Sequence, residues 1–261
     1  MAGLVSIPCL PDAVARSGWL ALSVLLLVGC HQPRISNPSP EVTAEPIAVP
    51  AEAKAEPELV QSEVVIEDWL ELQPGLRVSR QRREVEFEAE ICLDDGWLEQ
   101  IICGPGTREH ESIMVTRIPA SSIHAALLAA GFEPGVPGRW ASGIRVPPSG
   151  SPLDIQVSAA GSDEQIPVRT WIRGVDGEMP EGGWVFGGSL MRPEGSVPEG
   201  VSLYEADLSG SIVGLVTFGD ETIGFQEVIP DLVDIHPEEW RVGSVPPVGT
   251  VIRVLVRSAD D

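Results

Sequence analysis

The stretch Val85-EFEAEICLDDGWLEQIICGPGTREHESIMVTRIPASSIHAALLAAGFEP-Gly135 decides the fold. Val85, Phe87, Ala89 and Ile91 alternate with Glu86, Glu88 and Glu90, the period of a strand with one buried and one solvated face. Asp94-Asp95-Gly96 marks a turn, and Leu98 to Cys103 is expected to return as a second strand beside the first. Gly104-Pro105-Gly106 breaks the chain again, and Ile113 to Ile118 predicts a third strand. Ile123, Ala126, Leu127 and Ala130 then fall at helical spacing. Ser121 or Ser122 can cap that helix, and Gly131 stands at its left-handed end.

On the N-terminal side, Pro74-Gly75 reads as a turn and Leu76 to Arg80 as the first paired strand. On the C-terminal side, glycine and proline recur every few residues. The short runs between them include Ile144–Val146, Leu153–Val157, Ile166–Ile172, Trp184–Phe186, Ile212–Phe218, Ile223–Ile229 and a closing strand over Thr250–Arg257. Several are rich in β-branched residues, which suits strands. The fold expected is α+β: mostly antiparallel β with one short helix over residues 121–130.

Acidic residues outnumber basic ones 39 to 17, which argues against binding nucleic acid or docking by charge on an anionic membrane surface. Trp19 to Val28 is an apolar run preceded by Arg16, long enough for a signal-peptide core and too short to span a bilayer. Leu27-Val28-Gly29-Cys30 follows and resembles the lipobox of bacterial lipoproteins, which implies lipidation at Cys30. Residues 1–29 are therefore expected to be a lipoprotein signal peptide. Residues 30–62, with six prolines between His31 and Ser62 and no periodic apolar face, read as a flexible stalk. The folded domain is expected over 63–261, lipid-anchored in the bacterial cell envelope and facing the periplasm.

Several motifs are grouped along that domain. They are Cys92; Cys103-Gly-Pro-Gly-Thr-Arg-Glu-His110-Glu111-Ser112; His124-Ala-Ala-Leu-Leu-Ala-Ala-Gly131; Trp184-Val-Phe-Gly-Gly-Ser189; Ala206-Asp207; Leu215-Val-Thr-Phe218; and Pro246-Pro-Val-Gly-Thr250. Together they resemble the YdjY-like domain of bacterial exported proteins and lipoproteins, from about Leu76 to Arg257. The resemblance implies no particular activity. Some members carry a ferredoxin-like label, but Cys92 and Cys103 alone fall short of the four ligands of a cluster.

The chemistry of the residues leaves several readings open. Cys92 and Cys103 in an exported chain suggest a disulfide, which in the chain-entropy model adds about 3 kcal/mol. A tight hairpin at Asp95-Gly96 would hold the sulfurs about 13 Å apart, so the bond requires a wide loop. Cys92, Cys103, His110 and His124 have the residue types of a zinc site, without a common zinc spacing. Ser112 with His110 or His124 could form a nucleophile–base pair, but no nucleophile elbow surrounds Ser112. Arg108 to Glu111 reads first of all as a hydrogen-bonded loop that shapes the fold. The function expected is a binding or structural module that meets an envelope protein or ligand, needs no cofactor and touches the membrane through its lipid. The competing class is a metal-dependent or hydrolytic enzyme centred on His110, Glu111, Ser112 and His124.

Overall fold

The computed structural model describes residues 68–259, apart from 142, 175–176, 178–180 and 230–239. All of them fall in the unit Ser62–Asp261. The expected leader, the stalk, Cys30 and His236 lie outside the described residues.

The elements run β1 (Leu70–Gln73), β2 (Leu76–Ser79), β3 (Glu84–Ile91), β4 (Gln100–Cys103), β5 (Ser112–Val115), α1 (Ala120–Ala130), β6 (Arg139–Ala141), β7 (Ile144–Val146), β8 (Pro152–Ala159) and β9 (Ile166–Pro167). They continue β10 (Ile172–Gly174), β11 (Trp184–Val185), α2 (Glu205–Ser209), β12 (Ser211–Gly214), β13 (Gly224–Phe225), β14 (Trp240–Val242) and β15 (Val251–Ser258). The domain is mostly β with one helix of any length, as the residue pattern predicts.

Eight strands follow one another in the order β12-β4-β5-β3-β15-β8-β11-β13, and the sheet curls into a nearly closed barrel. The two ends approach where Val213 bridges Ile223 and the Gly214 N–H donates to the Ile223 carbonyl at 2.9 Å. The Trp184 indole N–H, carried by β11, also reaches the Gly214 carbonyl at 3.2 Å. The alternation in β3 sets the two faces. Val85, Phe87, Ala89 and Ile91 are buried. The last strand of the chain, β15, lies at the centre of the sheet rather than at its margin. Val254 there sits between Phe87 of β3 and Val157 of β8. The outward glutamates meet arginines across the strands: Arg253 is opposite Glu88, Arg257 is opposite Glu84, and Arg77 pairs with Glu86 at 2.8 Å.

Three expectations need correction. β4 does not return beside β3. β5 lies between them, antiparallel to β3 and parallel to β4. The turn at Asp94–Gly96 belongs to a wide excursion, because Leu98 N–H is drawn to the Trp240 carbonyl and Glu99 N–H to the Glu111 carbonyl. The helix begins at Ala120 after Pro119, and neither serine caps it. Asp207 of α2 accepts the Ser121 N–H at 2.8 Å instead, so a tertiary contact supplies the cap. Gly131 does end the helix, at φ +90°. In the C-terminal half the strands are shorter than the apolar runs. Val168–Trp171 is a 3-10 turn, and the run Ile212–Phe218 leaves the sheet after Gly214.

Candidate functional site

The loop between β4 and β5 builds the densest chemistry of the domain. Two glycines allow its course. Gly106 adopts φ +75°, and at Gly210, φ +77°, a Cβ would lie 2.7 Å from the Thr107 Cβ. Gly104 donates to the Gly210 carbonyl at 3.0 Å, Thr107 Oγ1 donates back to the Gly104 carbonyl at 2.6 Å, and the Glu109 carboxylate accepts the Gly106 N–H. That last bond is the main reason the Glu109 carboxyl is held below the usual carboxylate range. Arg108 pairs with Glu99 at 3.2 Å and stacks over the Phe218 ring at 3.6 Å.

This loop and the excursion before β4 bring two thiols together. Cys92 follows β3 directly and donates its N–H to the Ile113 carbonyl of β5. Cys103 ends β4 on the other side of β5 and is fully buried, while Cys92 is half-buried. Both thiols are free, and each bears on the other's protonation. The Cys92 thiol donates to the Ser112 carbonyl at 3.1 Å. Cys103 is lowered to about 7, first by the Cys92 hydrogen bond and then by the Ser112 hydroxyl and the Arg108 backbone, against the opposing effect of burial. Cys92 is driven up by the same bond, by burial and by the charge on Cys103.

The other predicted residues part company. His110 lies in the turn Glu109–Glu111 with its side chain 72 % exposed, 3.6 Å from the Glu111 carboxylate. Ser112 is fully buried, and its hydroxyl donates to the Met114 carbonyl at 3.0 Å. His124 belongs to a second cluster, formed by α1, the segment after β11 and α2. Its Nδ1 lies 2.9 Å from the Tyr204 hydroxyl, and its ring meets the Phe186 and Tyr204 rings edge-on at 4.8 and 5.3 Å. Burial lowers its pKa, against a backbone contact at Gly188. The Tyr204 hydroxyl also bonds the Gly188 carbonyl and the Thr222 hydroxyl, both at 3.1 Å, and burial pushes it up to about 12. The proposed zinc set is thus split between two clusters and the surface. Among the described residues no group of three or more His, Cys, Asp or Glu is placed to hold a metal.

A YdjY domain family model matches residues 76–257. The chain belongs to the YdjY domain family. No curated protein and no solved structure matches it.

Two features of this YdjY domain have no clear signal in the sequence. Glu221 is 2 % exposed, and its carboxylate accepts the N–H groups of Phe218 and Gly219, the latter at 3.1 Å. Burial pushes it up to about 7 despite those bonds. Gly-Asp-Glu at 219–221 reads only as a turn. The second feature is a cleft of about 440 Å³ over the outer face of β3. Its walls include Glu88, Glu90, Glu109, Arg117, Pro105 and Val251. Val115, also in the wall, stands opposite Glu90 on one side and Cys103 on the other. The residues that line the cleft carry no mark of it in a linear reading.

Proposed function

We propose that this YdjY domain is a binding module of the bacterial cell envelope, tethered by lipid at Cys30 and facing the periplasm, which meets its partner through the cleft over β3. The observation that carries this reading is the cleft itself. It is concave, it combines apolar and charged walls, and three glutamates and one arginine line it. With a net charge of −22 behind it, such a wall favours a cationic or arginine-bearing segment over an anionic one. The hydrolase reading has less support. Ser112 is buried with its proton directed at a backbone carbonyl, His110 points to solvent, and His124 is engaged with Tyr204.

The test is photo-crosslinking in cells, with the reactive residue placed at exposed Val251 in the cleft or at exposed Ile144 as a control. Discrete crosslinks from position 251 and none from position 144 are expected. Cys30→Ser should remove fatty-acid labelling and weaken those crosslinks by releasing the domain from the membrane. Equal crosslinking from both positions would sink the cleft reading, and retained label in Cys30→Ser would sink the tether.

A further inference from the structure

The outward face of β3 changes character along its length. Its glutamates alternate with its buried residues, and the first three each stand opposite an arginine. Glu84 is opposite Arg257, Glu86 is opposite Arg77, and Glu88 is opposite Arg253. The last, Glu90, is opposite Val115 of β5 on one side and Val251 of β15 on the other. Residues opposite one another in a ladder share a face, with Cβ atoms about 5 Å apart. One carboxylate therefore stands between two valine side chains. Glu84 and Glu86 are half-buried, whereas Glu90 is exposed and Val251 is 42 % exposed. The cleft of about 440 Å³ opens at this level, and Val115, Glu90 and Val251 all line it.

Opposite charges facing each other across strands stabilise a sheet, and Glu90 departs from that pattern. Among the described residues neither Glu90 nor Arg117 of the cleft wall is in an ion pair. Glu109, in the same wall, already has its carboxylate on the Gly106 N–H. Glu90 is thus an unmatched carboxylate with apolar groups on both sides. A small hydrated metal ion gains nothing from the valines, and among the described residues no set of ligands for one is assembled. A cation carried on an aliphatic stem uses both features, with its methylenes along the valines and its head on the carboxylate.

We infer that the cleft takes one lysine or arginine side chain of a partner protein, its stem between Val115 and Val251 and its head on the Glu90 carboxylate. Glu90 is then the selecting residue of the binding cleft proposed above, a role that rests on that reading. The other outward glutamates of β3 balance arginines of the sheet.

The experiment titrates the purified full chain, labelled with 13C at the valine methyls, with n-butylguanidinium, n-butylammonium and methylguanidinium, and follows the Val115 and Val251 signals by NMR. Both butyl cations are expected to shift the two signals saturably. n-Butylguanidinium should bind about tenfold more tightly than methylguanidinium, because its longer stem is partly withdrawn from water. In Glu90→Gln the butyl cations should bind about fivefold more weakly. Glu164→Gln, which removes an exposed carboxylate outside the cleft, should leave their binding unchanged. Both exchanges are at exposed positions and leave the core intact. Equal affinity for the methyl and butyl cations, equal losses in the two variants, or unmoved Val115 and Val251 signals would overturn the inference. Discrete crosslinks from position 251 without binding of the butyl cations would keep the docking cleft and remove the basic side chain from it. Butyl cations bound at Glu90 without such crosslinks would sink the docking reading while supporting the cation pocket.

Discussion

The thiol cluster and the His124–Tyr204 cluster are both polar groups set into an apolar barrel, yet their hydrogen-bond accounts differ. The Tyr204 hydroxyl has three partners and one proton. With its proton on the Gly188 carbonyl, the oxygen accepts from Thr222 and from His124 Nδ1–H, and each of its capacities is used once. Around Cys103 two donors each have two acceptors, one of them the sulfur. The first cluster spreads its bonds over α1, the Gly188 segment, α2 and the strand-like segment at Thr222, which suits it to fixing the packing. The second tolerates a change of charge. A buried network with no slack rigidifies a core, whereas one with redundant acceptors can change protonation state in place.

The sharpest way to break this contrast is at Glu221, next in sequence to Thr222. Its folded-state pKa is raised to about 7 from an ordinary 4.5. A raised carboxyl contributes stability that is fully present below the unfolded value and is lost as pH rises through the folded value. Wild-type stability should therefore carry a decline between about pH 4.5 and 7 from this residue alone, at most about 3 kcal/mol. In Glu221→Gln the amide oxygen can still accept from Phe218 and Gly219, and that decline should vanish. Urea unfolding of both proteins at pH 5 and pH 8 measures it; parallel pH dependences would mean the carboxylate is not penalised by burial.

Next in size is Tyr204→Phe. It removes one hydroxyl and takes a partner from the Gly188 carbonyl, the Thr222 hydroxyl and the His124 Nδ1 at once. A loss of about 2 kcal/mol is expected, since each buried group left unpaired carries a desolvation cost. Denaturant midpoints check it. A change below about 0.5 kcal/mol would show that the cluster is not the fixed one described.

The sequence made the first half of the domain legible because its signals are local. Strict alternation from Val85 to Ile91 and the Gly131 stop each have one physical reading. Strand order was not legible. Nothing local distinguishes β4 beside β3 from β4 beside β5, because the choice rests on distant bonds such as Leu98 to Trp240 and Gly104 to Gly210. The helix cap failed for the same reason: Asp207 is remote in sequence from the amide it satisfies. At the site, Cys92, Cys103 and Ser112 were singled out by residue type, but the grouping of Ser112 with the thiols rather than with a histidine needed the topology. Tyr204 and Glu221 were missed because a lone tyrosine and a glutamate in a turn carry no periodic signal.

The smallest expected effect on stability separates the clusters most cleanly. Ser112→Ala deletes a buried hydroxyl whose bond to the Met114 carbonyl should be worth about 1 kcal/mol, so the midpoint should move little. It also deletes one of the donors that hold Cys103 near 7, leaving burial less opposed. The pH dependence of thiol alkylation at the pair should therefore shift to higher pH in Ser112→Ala. In Tyr204→Phe, measured under conditions where the protein is folded, the alkylation profile should stay where it is while stability falls. The two variants thus predict opposite readouts, a moved profile with stability nearly kept and a kept profile with stability lost. If Ser112→Ala leaves the profile unchanged, the Ser112 hydroxyl belongs to the Met114 carbonyl alone, and the redundancy that distinguishes the thiol cluster reduces to the Cys92 proton.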